Sequence, residues 1–172
     1  MIAIREAVLK DCAEIAQVQV DSYRTAYAGL MPGPYLAQFS YAEQEQDWIN
    51  LLNAGTTDIL LVAVAETGAV LGYTLARVEK DVFPGYDAEV VALHVRQFSQ
   101  RQGVGRALLR AAVAKLAALG CQSVMLWTLK GNPVRCWYEK LGGKYLGEKV
   151  WMLDDFAVHE VAYGWEDSAG LQ

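Results

Sequence analysis

Histidine and cysteine are scarce in this chain, and their scarcity excludes several chemistries. Its 172 residues include two histidines, His94 and His159, and three cysteines, Cys12, Cys121 and Cys136. No Cys-x-x-Cys pair or His-rich cluster occurs, so no metal site is expected. Three widely spaced cysteines in a chain of this length do not form a disulfide framework. Basic charge is also short, with 15 Lys and Arg against 20 Asp and Glu, a net charge of −5. Nucleic-acid binding favours a basic surface, so no nucleic-acid partner is expected. The apolar run Ile59 to Ala65 is too short to cross a bilayer. The opening Met1-Ile2-Ala3-Ile4-Arg5-Glu6 lacks the apolar stretch of a secretory leader. A cytoplasmic protein with no membrane partner is the expectation. Internal repeats and low-complexity segments are absent as well.

What is present suits a packed core. The chain is 53% hydrophobic and 20% charged, which excludes disorder. Its length fits one domain spanning residues 1–172. Ile2 to Ala7 alternates as a first strand. Asp11-Cys12-Ala13-Glu14 reads as an N-cap with a reciprocal acid, opening a helix to about Ala28. Gly29-Leu30-Met31-Pro32-Gly33-Pro34 breaks that helix. Ser40-Tyr41-Ala42-Glu43 is a second capping box, with a helix to about Asn53. Ile59 to Glu66 and Val70 to Glu79 form a hairpin turning at Thr67-Gly68-Ala69.

Further strands are expected at Ala88 to Val95, Ser123 to Leu129, Lys144 to Leu153 and Ala157 to Trp165. A helix follows the first of these and ends near Leu119, with Gly120 at its C-cap. Asn132-Pro133 starts a short helix that Gly142-Gly143 ends. The order β-α-α-β-β-β-α-β-α-β-β predicts an α/β protein with a mixed sheet covered by helices.

The most informative junction is Gln100-Arg101-Gln102-Gly103-Val104-Gly105-Arg106. It joins the apolar strand Val90-Val91-Ala92-Leu93-His94-Val95 to a helix whose buried face carries Val104, Ala107, Leu108, Ala111 and Ala112. A helix start presents free N–H groups and the positive end of the helix dipole. Two glycines there let a phosphate approach the backbone. A tight turn with solvated arginines is the plainer alternative; the strand–turn–helix context favours a phosphorylated ligand. A Walker loop is excluded, because no Gly-Lys-Ser/Thr triplet occurs. A dinucleotide fingerprint fails at its third glycine, where Leu108 stands.

A second stretch, Asn132-Pro133-Val134-Arg135-Cys136-Trp137-Tyr138-Glu139-Lys140-Leu141-Gly142-Gly143, follows the strand Val124-Met125-Leu126-Trp127. Together with Gln100, Gly103 and Gly105 it resembles the Gcn5-related N-acetyltransferase family. That family's cofactor motif is Gln or Arg, two residues, Gly, one residue, then Gly or Ala. Leu93-His94-Val95 resembles its Leu-Tyr-Val strand end. The resemblance runs from about Glu89 to Gly143, while Tyr23-Arg24-Thr25-Ala26-Tyr27 matches loosely.

The resemblance implies an acyl-CoA N-acyltransferase fold, with a mostly antiparallel sheet and helices on both faces. It implies acetyl-CoA as donor, CoA as product and a small-molecule or peptide amine as acceptor. It is compatible with a homodimer. Backbone N–H groups from Arg101, Gln102, Gly103, Val104, Gly105 and Arg106 would hold the pyrophosphate. The pantetheine arm would lie along Leu93, His94 and Val95, with a bulge near Leu93 freeing an N–H for the thioester oxygen. Asn132 would sit near that arm and Tyr138 near the sulfur, as proton donor to the leaving thiolate. An ordinary core tyrosine is the alternative reading of Tyr138.

Glu89 is the candidate base, with a solvated strand-end acid as the alternative. Strand alternation turns His94 to the face opposite Leu93, so its backbone is expected to matter more than its ring. Tyr23 and Tyr27 are candidates to line the acceptor pocket. Trp127, Trp137 and Trp151 read as core, and Cys136 as packing, which points to direct transfer without an acyl-enzyme. A non-catalytic acyl-CoA sensor or scaffold, or an unrelated phosphate-binding enzyme, would share the same glycine junction.

Overall fold

A computed structural model describes residues 2–80, 82–167 and 171. Seven strands form one sheet: β1 (Ala3–Glu6), β2 (Ile59–Val64), β3 (Val70–Val78), β4 (Ala88–Val95), β5 (Val124–Leu129), β6 (Lys144–Leu153) and β7 (Phe156–Trp165). Their spatial order is β1-β2-β3-β4-β5-β7-β6. Every neighbouring pair is antiparallel except β4 and β5. The helices are α1 (Cys12–Ala26), α2 (Gly33–Leu36), α3 (Tyr41–Asn53), α4 (Val104–Ala118) and α5 (Arg135–Lys140). No helix among the described residues is long and apolar enough to cross a membrane.

The apolar run in β2 is explained by burial on both sides. Ile59, Leu61 and Ala63 pack with α4 residues Leu108, Leu109, Ala112 and Leu116. The alternate residues Leu60, Val62 and Val64 pack with Cys12, Ile15 and Ala16 of α1 and Trp48 of α3. The sheet is therefore sandwiched, with α1 and α3 on one face and α4 and α5 on the other.

Local signals place most element ends. Ser40 Oγ accepts the Glu43 N–H at 3.2 Å and opens α3. Gly120 adopts a left-handed φ of 89° just past α4, as a helix C-terminus favours. Two expectations need correction. Asp11 is not the expected side-chain cap of α1; it ends a 3-10 turn, Leu9–Asp11. Its carboxylate accepts the Val8 N–H at 2.9 Å and a forked pair of bonds from Arg5 at 2.6 and 2.8 Å. Glu14, expected to return a bond to that cap, instead accepts the Val70 N–H at 2.8 Å and tethers α1 to β3. The Gly29–Pro34 break also contains more structure than a loop, because Gly33 and Pro34 begin the one-turn α2.

Two irregularities in the sheet matter most. β4 and β5 share one registered pair, Glu89 with Met125, and then separate. In β4, Ala92 faces Leu75 while Val90 faces the adjacent Ala76, so Val91 is an extra residue. This bulge lies two residues before the expected position at Leu93. It reverses the alternation: Ala88 and Val90 face α4, and so do Leu93 and Val95. His94 consequently turns toward α1.

The end of β4 is held tightly against β3. A Cβ at Gly72 would lie 2.6 Å from the His94 carbonyl oxygen. Gly72→Ala therefore has to push two paired strands apart, and a loss of about 1–3 kcal/mol in unfolding free energy is expected. Urea denaturation checks this; an unchanged midpoint would show that the strand end yields freely.

Candidate functional site

The separation of β4 from β5 opens a cleft of about 850 Å³ that passes between the faces of the sheet. Its walls include Val91 to Val95 of β4, Leu126 to Thr128 of β5, the α4 start, α5, and Ser22, Thr25, Ala26 and Tyr27 near the end of α1. One cavity thus links groups that belong to opposite sides of the sheet.

At one end lies the glycine junction. Gly103 is the N-cap of α4, at φ 86°, and provides no side-chain capping bond. Ala107 is the first N–H satisfied from within, donating to Gly103 O at 2.9 Å. The preceding N–H groups of Gly103, Val104, Gly105 and Arg106 have no acceptor inside the helix. Arg101 also lies in the left-handed region, at φ 58°. A non-glycine residue there costs about 1 kcal/mol, which fits a loop whose backbone is shaped for a ligand. A Cβ at Gly105 would come no closer than 3.7 Å to Trp137 and Val95, so its importance lies in an open approach rather than tight packing. Gln100, Arg101, Gly103, Gly105 and Arg106 all border the cleft.

Two junction residues are placed otherwise. Gln102 is not among the lining residues; its amide donates to Phe98 O at 2.8 Å and braces the loop. Val104 is buried in the core, so only its backbone is available to a ligand. Gln100 donates its amide to Val95 O at 3.1 Å, tying the junction to the end of β4.

Farther along, Asn132 and Tyr138 border the cleft together. Asn132 Oδ1 accepts the Val134 N–H at 3.1 Å and shapes the turn into α5. The Gly143 N–H donates to Tyr138 O at 3.0 Å, fixing the far end of α5. Arg135 Nε donates to the Tyr163 hydroxyl at 3.1 Å, which donates to Glu139 at 2.7 Å, pinning α5 to β7. Tyr138 is buried, and burial pushes its phenol above the ordinary range. Its hydroxyl is therefore protonated at pH 7, on a residue that lines the cleft.

On the other face, the His94 ring sits among Tyr23, Tyr27 and Tyr73, at centroid distances of 5.5, 6.3 and 5.5 Å. Desolvation there lowers its pKa to about 4, so the imidazole is neutral at pH 7. His94 is among the residues that line the cleft, and its ring packs against the tyrosines on the α1 side. Tyr27 lines the cleft, while Tyr23 lies behind it, edge-on to Phe39. Glu89 stands apart. It is not among the cleft-lining residues, its nearest cation is Arg77 at 3.9 Å, and burial raises its pKa. The structure therefore does not bring the expected base to Tyr138.

Several lining residues escaped the sequence reading. Trp127 and Trp137, expected in the core, line the cleft. So do Thr128 and Lys140. Cys136 is exposed there rather than packed. Trp151 is also outside the core, 37% exposed, with its indole N–H donated to Glu160 at 2.9 Å. Lys140 was recoverable in principle: it lies two residues beyond Tyr138, in the same motif. Among the described residues no group of three or more His, Cys, Asp or Glu could hold a metal.

A helix-start anion cradle opening into a cleft between diverging parallel strands is suited to a long phosphorylated cofactor. The profile of the Acetyltransferase (GNAT) family matches residues 14–143. An uncharacterized N-acetyltransferase of Bacillus subtilis (strain 168), YuaI, is 33% identical over 172 residues, covering 100% of this chain and 97% of that one. An N-acetyltransferase from Staphylococcus aureus Mu50 shares the fold at a TM-score of 0.74 and 16% identity, over 98% of this chain and 99% of its own. The PaiA N-acetyltransferase of Thermoplasma acidophilum, solved with coenzyme A, aligns at a TM-score of 0.67 and 19% identity, over 94% and 98% of the two chains. The chain belongs to the GNAT family of acetyltransferases.

The His94 environment carries a pH signature. Its folded pKa of about 4 lies below the ordinary 6.5, so between those values the unfolded chain binds more protons. The resulting stability is fully present above pH 6.5 and is lost as pH falls through 4. In His94→Leu, the difference in unfolding free energy between pH 7 and pH 4.5 is expected to shrink by about 2 kcal/mol. Urea titrations at the two pH values measure it, and equal differences in parent and variant would contradict the assignment.

Proposed function

We propose that the chain transfers an acetyl group from acetyl-CoA to a primary amine of a small molecule or peptide, by direct attack. The observation that carries this reading is the continuity of one cleft from the α4 start, past Tyr138, to the aromatic residues at the end of α1. The free N–H groups at residues 103–106, with Arg101 and Arg106, bind the pyrophosphate. The pantetheine arm follows Leu93 to Val95, whose β5-facing edge is unpaired beyond Glu89. Its far side is bounded by Asn132.

The amine nitrogen attacks the thioester carbonyl, forming a C–N bond and an oxyanion. A backbone N–H near the Val91 bulge stabilises that oxyanion without reorganising. Collapse breaks the C–S bond, and Tyr138 gives its proton to the departing sulfur. The positively charged nitrogen of the intermediate loses its proton through water to the neutral imidazole of His94, a residue of the cleft lining. That proton passes to solvent, and the tyrosine is reprotonated. Glu89 is not among the residues that line the cleft and sits beside Arg77, so it is not given this step.

Coenzyme A at one hundred times its Kd should stabilise the fold by about 2.7 kcal/mol. Thermal denaturation with and without CoA reads this directly; no shift at millimolar CoA would contradict the cradle assignment. Tyr138→Phe should keep that shift and lower kcat on the order of a hundredfold. Thiol release across an amine panel supplies the kcat comparison. Full turnover in the variant would remove Tyr138 from the chemistry, whereas CoA binding without turnover in the parent would mark a sensor.

A further inference from the structure

A second hollow, of about 410 Å³, lies beside the aromatic end of the cleft. The two spaces share chain segments. Tyr27, Thr128 and Asn132 line the cleft, and the intervening or adjacent Leu30, Leu129 and Gly131 line the hollow. Leu30 lies against the loop at Gly131. A Cβ at Gly131 would lie 2.5 Å from Leu30 Cδ2, so the missing side chain is what lets Leu30 lie against the loop. Phe156 and Ala157, at the start of β7, supply the other apolar wall.

The lining of these spaces offers no counter-charge to a cation. Among the described residues, no Asp or Glu lines the cleft or the hollow. The cleft is bordered by Arg101, Arg106 and Lys140, and the hollow by Lys130. Carboxylates on neighbouring strands already have partners. Glu148 pairs with Lys130 at 2.7 Å, and Glu160 with Lys149 at 3.4 Å. Glu160 also accepts the Trp151 indole N–H at 2.9 Å. An acceptor with a second ammonium would have to desolvate it with no carboxylate in the lining to pair with. An apolar body meets no such obstacle and gains from burial against Leu30, Leu129 and Phe156.

We infer that the hollow behind Leu30 receives the body of the acceptor, and that this acceptor is a monoamine on an apolar, aromatic or branched carbon skeleton. The inference rests on the acetyltransferase reading above, and it separates such amines from polyamines and aminoglycosides. Lys130 and His159 are the polar groups of the hollow. They identify the competing ligand, an amine that also carries a carboxylate.

The test uses the full chain with acetyl-CoA and three probes: 2-phenylethylamine, 1,4-diaminobutane and phenylalanine. The expected result is a kcat/KM at least tenfold higher for 2-phenylethylamine than for either other probe. Ala157→Glu adds a carboxylate at an exposed wall position and should reduce the preference over the diamine at least tenfold. Leu30→Ala removes an apolar wall of the hollow and should alter KM for 2-phenylethylamine more than kcat. Both variants should keep the parent's thermal shift with CoA.

Preference for the diamine, or a selectivity that Ala157→Glu leaves unchanged, overturns the inference. Preference for phenylalanine overturns it in favour of a carboxylate read by Lys130 and His159. Calorimetric titration of 2-phenylethylamine into the CoA-loaded protein decides the matter where no probe turns over. Absence of binding there overturns the hollow's assignment, whereas loss of the CoA shift itself overturns the acetyltransferase reading.

Discussion

The separation of β4 from β5 after a single registered pair is the constraint on which the rest of the site depends. Parallel neighbours that stayed paired would satisfy their own backbone groups and leave no passage through the sheet. Their divergence gives α4's open N-terminus, the buried Tyr138 hydroxyl and the rings at the end of α1 one shared space. A split sheet would be unstable without compensation. Here the break is braced from both sides: Gln100 ties the junction to Val95, and Arg135, Tyr163 and Glu139 tie α5 to β7.

The glycine junction has a division of labour that its residue types make intelligible. Gly103 supplies a backbone conformation, at φ 86°, whereas Gly105 leaves an open approach in an ordinary helical position. Arg101 is held in the left-handed region without glycine's freedom. That conformation carries an energetic cost that the neighbouring helix and the braced β4 end sustain. The positive charges nearby then add to a site already electropositive from the helix dipole.

Much of this was legible in the chain because the signals are local. The Ser40 cap, the Gly120 stop, the β2–β3 hairpin and the strand–glycine–helix order each depend on residues within one or two turns. The misread features depend on register between distant segments. Val91 becomes a bulge only because Val90 and Ala92 face consecutive residues of β3. That slip changes which side His94 occupies relative to Val90, and periodicity within β4 contains no trace of it. Asp11 looked like a cap until Arg5, brought near by β1, took its carboxylate. Trp127 and Trp137 read as core because large aromatics usually are; the split between strands makes them cleft walls.

Burial acts in the same sense on two titratable groups of the cleft, Tyr138 and His94. The same low-dielectric surroundings disfavour charge on both, which keeps the Tyr138 phenol protonated and the His94 imidazole neutral. Each group therefore starts in the form that the proposed transfer needs, while the same burial makes the charged form that follows harder to reach. Glu89 could not substitute simply by being more basic than other carboxylates, because its raised pKa comes with a position outside the cleft and beside Arg77. Access decides between candidate bases before affinity for the proton does. The bulge at Val91 is what grants that access, by turning the imidazole toward α1 while Leu93 and Val95 remain on the α4 side. A departure of one residue from regular pairing thus links the architecture of the sheet to the proton chemistry proposed for its cleft.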